Sequence, residues 1–535
     1  MLLGAWVSYT SNSRTKNQER ARTMKTFAPL ILLVQGALAF SPGHRAWPRE
    51  GSGDALQVST TSGQVHGKID PSLPNVRQFL GIPYAKPPTG DRRWAPPELL
   101  DDLDAQISAV ELPPSCMQSL STASASVYNR DVLEFNLQGL NRTGAISEDC
   151  LTASVWAPTN NQSGLPVLIF VYGGGFQTGG QDVPYQIPAQ WVNRTQDHIV
   201  VSFNYRLNIF GFPNAAGLEN QNLGLLDQRA FVQWCEKNIA AFGGDSSRMV
   251  LWGQSAGSIS VDMYNFAYPN DPLVGGFIMD SGTAESGLSS ADTPHSNFTF
   301  VAENVGCGGL REDPATELDC MRGVDAIKIK DFIASYAESG SSPSLGFNPV
   351  PDESVVFSNY TQRALQDQQA QIPAIIGTNT EDGVPFAPYN PSGPNQTIAL
   401  QAGLATFFCP ATQTTRLRQQ TGRTTFRYLY AGNFTNISPQ PWLGAYHSAE
   451  LPMLMGTHGN FRGASSELEE ATSRAFQGAY VAFASDPTGG LPGQGWEVYV
   501  ALGGSDVREF GAGVAAKDVS VADMEALCDG AQLSA

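Results

Sequence analysis

A serine does nucleophilic chemistry only when the backbone presents its hydroxyl and a neighbouring base removes its proton. In this 535-residue chain the apolar run Met249–Trp252 leads into Gly253-Gln-Ser-Ala-Gly257, and Ile259, Val261, Met263 and Tyr264 continue in a helical pattern. Strand, sharp turn and helix, with small residues on either side of the serine, make a nucleophile elbow, because the helix must pass close to the strand it leaves. Ser255 is therefore the candidate nucleophile; a plain Gly/Ser loop, the commonplace alternative, would not need the strand before it or the helix after it. Attack on a carbonyl creates an oxyanion that wants hydrogen-bond donors. Upstream, the apolar strand Pro166–Tyr172 breaks into Gly173-Gly-Gly-Phe176, whose unshielded N–H groups suit that purpose. Gly174 and Gly175, with the N–H of Ala256 after the serine, are the candidate oxyanion hole. A phosphate-cradling loop would need a following G-K-[ST], and Phe176 stands where a lysine would help.

The base must be one of six histidines: His44, His66, His198, His295, His447 and His458. Where an elbow of this kind crowns a parallel sheet the chain order is serine, acid, histidine, which leaves His447 and His458. His447 has the better setting, a glycine-containing loop (Gly444–Pro452) entering an apolar run, whereas His458 follows that run. For the acid, strand Pro373–Gly377 leads into Thr378–Gly383, from which either Glu381 or Asp382 could orient the imidazole; the bland alternative is that both face solvent in a turn. The elements that would position these groups alternate. Strand-like runs at Val167–Tyr172, His198–Tyr205, Met249–Trp252 and Ile372–Gly377 are separated by helical stretches such as Leu225–Asn238, predicting a mainly parallel central sheet covered by helices. Length alone suggests several domains, but no linker interrupts the motifs between Gly173 and His447, so one large domain is expected.

Taken in order, several motifs resemble those of the type-B carboxylesterases, the carboxylesterase/cholinesterase/lipase family of the α/β-hydrolase superfamily. Beyond the elbow and Gly-Gly-Gly-Phe they are Phe79–Pro88, Glu148–Leu151, Asn204–Leu207, Asn222–Arg229 running to Asn238–Asp245, and Tyr446-His-Ser-Ala-Glu450, spanning most of the chain from about Gly63. The resemblance implies an α/β-hydrolase fold, a single catalytic domain over 63–535, and ester hydrolysis through an acyl-enzyme on Ser255. It implies no cofactor and no metal; His447 and His458 do not form a metal-ligand pattern. In the family the acid directly precedes a glycine and is usually the glutamate of Asp-Glu-Gly. Here the order is Glu381-Asp382-Gly383, so position nominates Asp382, one methylene shorter, as the acid. Family pairing implies disulfides Cys116–Cys150 and Cys307–Cys320. Of the remaining three of seven cysteines, Cys409 and Cys528 pair by elimination and Cys235, in the helical Phe231–Cys235 segment, reads as a buried free thiol.

The expected substrate is a small-molecule ester, lipid esters included. Cholinesterases place a tryptophan in the first disulfide loop and a glutamate before the serine to meet a quaternary ammonium; residues 117–149 hold no tryptophan and Gln254 replaces the glutamate, which disfavours choline esters. The lipases of the family use the 116–150 segment as a flap, and Val127, Leu133, Phe135, Leu137 and Leu140 give it apolar character, so an interfacially activated lipase is the alternative. A third reading is a non-catalytic adhesion-type relative, since some relatives keep the fold and lose the serine. Such relatives add a stalk and an anchor, whereas this chain keeps Ser255, His447 and a carboxylate and ends at Ala535 with no hydrophobic tail.

The amino terminus predicts secretion. Met24–Ala39 has a basic start, a short apolar core and an Ala37-Leu-Ala39 cleavage signature, the pattern of a signal peptide whose core is too short to anchor the chain in a membrane. Residues 1–23 then read as a gene-model extension with translation starting at Met24, and 40–62 as an N-terminal extension of the mature chain. Residues 1–39 carry five Lys/Arg and one Glu, so their removal takes the formal charge from −18 to −22, which argues against nucleic-acid binding. Acceptors for N-glycans occur at Asn141, Asn161, Asn193, Asn297, Asn359, Asn395, Asn433 and Asn436. Nothing in the sequence bears on oligomeric state.

Overall fold

The computed structural model describes residues 55–119, 126–132, 146–309, 313–460, 462–501 and 503–530. The expectations for 1–23, 24–39 and most of 40–62, for Asn141, and for flap residues Leu133, Phe135, Leu137 and Leu140 lie outside them. A ten-stranded sheet organises the molecule. Its strands, in chain order, are β1 (Val76–Pro83), β2 (Thr152–Pro158), β3 (Leu165–Val171), β4 (Ile199–Phe203), β5 (Gly244–Gln254), β6 (Gly276–Asp280), β7 (Ala374–Asn379), β8 (Thr425–Tyr430), β9 (Val507–Phe510) and β10 (Ala516–Val519). Across the sheet they run β10-β9-β8-β7-β6-β5-β3-β4-β2-β1. Every neighbouring pair from β9 to β4 is parallel, and the antiparallel pairs lie at the two edges.

Parallel strands need crossovers, and crossovers put helices on both faces, so the middle strands are buried on both sides. Each residue of β3, β4, β6 and β7 is buried, which explains why β3, β4 and β7 read as largely apolar runs rather than alternating ones; β6 was not among the expected strands. The expected strand and helix sites are borne out, β5 being longer than the Met249–Trp252 run that signalled it. Helix α1 (Leu223–Asn238) covers the expected helical stretch, and α2 (Ala256–Ala267) follows the elbow. Helix α3 (Gln396–Gly403) continues through a π-helical turn, Leu404–Phe408, into α4 (Cys409–Gln420). Helix α5 (Glu467–Ser485) opens with a Ser466/Glu469 capping box, and its Tyr480 ring meets Trp252 of β5, which meets Phe170 of β3. Those aromatic contacts tie the strand that carries the serine to β3 and α5. A separate three-stranded sheet, Gln57–Thr60, Gly63–His66 and Gln106–Ser108, lies outside the main one. Three disulfides join Cys116 to Cys150, Cys307 to Cys320, and Cys409 to Cys528 in helix α6 (Ala522–Gly530); Cys235 is buried and free.

Candidate active site

Ser255 stands between β5 and α2 with φ 56° and ψ −124°, backbone that a non-glycine residue adopts only under constraint and that costs about 1–3 kcal/mol. The constraints are visible. Its N–H donates to Asp280 O at 2.8 Å, and its C=O accepts from Ile259 N–H at 2.9 Å, the first turn of α2. A Cβ on Gly253 would stand 2.2 Å from Gly257 O, and one on Gly257 would stand 2.0 Å from Val171 O, so strand and helix approach as closely as they do only because both positions are glycine. Gly174, at φ 106°, turns the chain after β3, and a Cβ there would meet Thr178 O at 2.2 Å. Among the described residues neither the Gly174 nor the Gly175 amide donates to a backbone acceptor. Ala256, the third expected donor, is buried as the first residue of α2, where helix N–H groups have no partner within the helix.

Ser255, His447, Gly174 and Gly175 line one cavity of about 560 Å³. His447 Nδ1 is 2.8 Å from Asp382 Oδ1, and both side chains are almost fully buried, at 1% and 2% exposure. Asp382 Oδ2 accepts from Ser281 Oγ at 2.9 Å and from Asn379 N–H at 2.8 Å, so each carboxylate oxygen has its donors. Glu381 does not face the imidazole; its Oε2 accepts from Ala445 N–H at 2.9 Å. His458 is elsewhere, with Nδ1 2.6 Å from Ser465 Oγ. Gln254, which precedes the serine, brings its Nε2 within 3.4 Å of His447 Nε2.

Several groups at this site had no clear signal in the sequence. Ser281 follows the end of β6 and acts on Asp382 only because β6 and β7 are neighbours. Tyr128 donates to His447 O at 2.7 Å across the long separation between the first disulfide loop and the histidine loop. Phe407, in the π-helical turn, stacks on His447 with ring centroids 4.4 Å apart, and Phe386, 51% exposed at the cavity, meets the same ring edge-on at 5.2 Å. Beneath the site is a group of buried acids. Asp280 accepts from Trp252 Nε1, Tyr428 OH and Tyr480 OH, and burial pushes its carboxyl up to about 6, with Asp382 adding to the rise. Glu450, fully buried and held by the Asn379 amide, lies well above the usual carboxylate range because of burial and the nearby Asp280 and Asp382 charges.

The glycan acceptors fall into groups. Asn161, Asn359, Asn395 and Asn433 are exposed and Asn193 and Asn297 half-buried, whereas Asn436 is 6% exposed and its Nδ2 donates to His458 O and Glu469 Oε1. In the folded chain that nitrogen is therefore held inside, unlike those of the exposed acceptors. Among the described residues no helix is long and apolar enough to cross a membrane, and no cluster of three or more His, Cys, Asp and Glu side chains is disposed to hold a metal ion.

A mainly parallel sheet, with a strained serine at the crossing of a central strand and its helix, makes this protein an α/β-hydrolase. Within that class the chain belongs to the carboxylesterase family, whose model matches residues 54–406. Among curated relatives, a chlorogenic acid esterase of Aspergillus niger is 44% identical over 464 residues, covering 86% of this chain and 88% of its own. A secreted lipase 5 of Gibberella zeae is 42% identical over 470 residues, covering 83% and 87%. A cholinesterase of Mus musculus is 27% identical over 487 residues, covering 80% and 78%. The protein is a carboxylic ester hydrolase.

Proposed function

We propose that Ser255, His447 and Asp382 hydrolyse esters by two-step acyl transfer, with the N–H groups of Gly174, Gly175 and Ala256 as the oxyanion hole. Asp382 holds the proton on His447 Nδ1, which leaves Nε2 to accept the Ser255 proton. The alkoxide attacks the ester carbonyl, the imidazolium protonates the departing alcohol, and water activated by the same imidazole releases the acid. The observation that carries this reading is the 2.8 Å contact between buried Asp382 and His447, on a cavity that Ser255, Gly174 and Gly175 share. We read residues 63–535 as the catalytic unit, with 24–39 removed as the chain is secreted, in keeping with the lipase relative's name.

For substrate we favour a soluble ester of moderate size, with chlorogenic acid, after the relative from Aspergillus niger, as the first to test. The cavity, about 560 Å³, falls within the range that encloses one such molecule, and Phe386 and Phe407 offer it aromatic faces. The lipase reading is favoured by one observation: Phe386, Ile398 and Leu400 are 51%, 43% and 52% exposed in and just after the loop that leads from Asp382 into α3. Initial rates on chlorogenic acid, a soluble short-chain ester, an emulsified long-chain triglyceride and a choline ester, each with a Ser255→Ala control, test the proposal. It expects turnover of the first two above the others. Preference for the emulsion, with a jump in rate at the solubility limit, would transfer the assignment to lipase.

A further inference from the structure

We propose that Glu381 is a positioning residue whose carboxylate clips the loop carrying His447 onto the loop carrying Asp382; this rests on the reading of the triad given above. The two loops meet along a single strip. Glu381 and Tyr446 form an isolated parallel bridge, Glu381 N–H donates to Ala445 O at 3.2 Å, and Ala445 N–H returns a bond to Glu381 Oε2 at 2.9 Å. The same oxygen accepts from Thr380 Oγ1, which fixes the carboxylate's direction. Gly444 completes the seat. Its φ is +56°, and a Cβ on it would lie 2.7 Å from both Cδ and Oε2 of Glu381, so the loop has no side chain where the carboxylate packs over it.

This arrangement answers a problem of reach. Asp382 is shorter than a glutamate by one C–C bond, about 1.5 Å, yet its Oδ1 stands 2.8 Å from His447 Nδ1. The histidine loop must therefore sit close to the acid loop, and the longer carboxylate, one residue earlier, grips that loop two residues before the histidine. Other contacts hold different points. Asn379 Nδ2 donates to Tyr446 O at 2.9 Å, and Tyr128 OH donates to His447 O at 2.7 Å. Both act on carbonyls, whereas the Ala445 amide is taken by Glu381. Those remaining anchors mean that losing Glu381 displaces the imidazole rather than releasing the loop, an effect on the rate of chemistry more than on substrate binding.

The test compares Glu381→Ala, Glu381→Asp and Glu381→Gln in the full-length secreted enzyme, with kcat and KM measured separately on a soluble ester. A misplaced catalytic group costs up to about a hundredfold. Ala and Asp, which lose or withdraw the acceptor, are expected to lower kcat roughly 10- to 100-fold with KM changed by less than about threefold. Gln keeps an acceptor oxygen at the same reach and is expected to stay within about threefold of the parent kcat. A folded Glu381→Ala with parental kcat overturns the proposal, as does Glu381→Gln damaged as severely as Glu381→Asp; if the alanine variant does not fold, the Asp and Gln pair still decides. Failure of the underlying triad is a separate result, seen as activity surviving in Ser255→Ala.

Discussion

Replacing Asp382 by Asn leaves the side-chain volume nearly unchanged while it removes the charge and turns one accepting oxygen into a donating NH₂, which makes it the sharpest probe of the site. Asp382 Oδ2 faces two donors, Ser281 Oγ and the fixed backbone N–H of Asn379. An asparagine must therefore turn its carbonyl oxygen toward them and its NH₂ toward His447 Nδ1. An NH₂ group there can only donate, so the imidazole is pushed into the tautomer that carries its proton on Nε2. In that form it cannot accept the Ser255 proton. Loss of the working tautomer costs about 10⁴ in kcat, close to 5.5 kcal/mol of transition-state stabilisation. The assay is steady-state hydrolysis of a soluble chromogenic ester between pH 6 and 9, with KM expected to move by only a few-fold because the cavity is intact. A kcat within tenfold of the parent, or a loss confined to KM, would mean that Asp382 does not set the tautomer of His447 and that another group is the acid.

Two further outcomes follow from the geometry around that contact. Gly257→Ala drives a Cβ to 2.0 Å from Val171 O, so it should destabilise the fold by about 3 kcal/mol, the upper end of overpacking costs, and lower kcat by moving Ser255; denaturant midpoints and rates on the same sample check both. Glu450→Gln should become progressively more stable relative to the parent as pH rises. The raised value of Glu450 means that, above the usual carboxylate range, the folded protein holds a proton the unfolded chain releases, so the parent loses stability with rising pH through that window while glutamine cannot ionise. Thermal midpoints of both proteins from pH 4.5 to 8 measure the difference; a difference that does not change with pH contradicts it.

The elbow was legible because its requirements are local: Gly253 and Gly257 are sterically obligatory, and the strand and helix beside them are continuous in sequence. The sheet was legible at β3, β4 and β7 because burial on both sides gives them largely apolar runs, whereas β6, the short Gly276–Asp280, was not singled out in the sequence although it is buried too. The choice between Glu381 and Asp382 rested on the family position before Gly383, because local pattern alone left both open; the structure gives Asp382 to His447 and Glu381 to the Ala445 amide. Phe407 was hidden because a π-helical turn breaks the 3.6-residue spacing by which a helix face is read. Asn436 shows the opposite limit. Its acceptor pattern is a local string, but its burial against His458 and Glu469 comes from other parts of the chain and could not be read from that string.

In the proposed reaction the atom that becomes acylated is Ser255 Oγ. Intact mass and peptide mapping after reaction with a fluorophosphonate report that atom directly. One adduct per chain is expected on the peptide containing Gly253–Gly257, with labelling and ester hydrolysis both lost in Ser255→Ala. An adduct on a different residue, or hydrolysis persisting at the parental rate in Ser255→Ala, would contradict it.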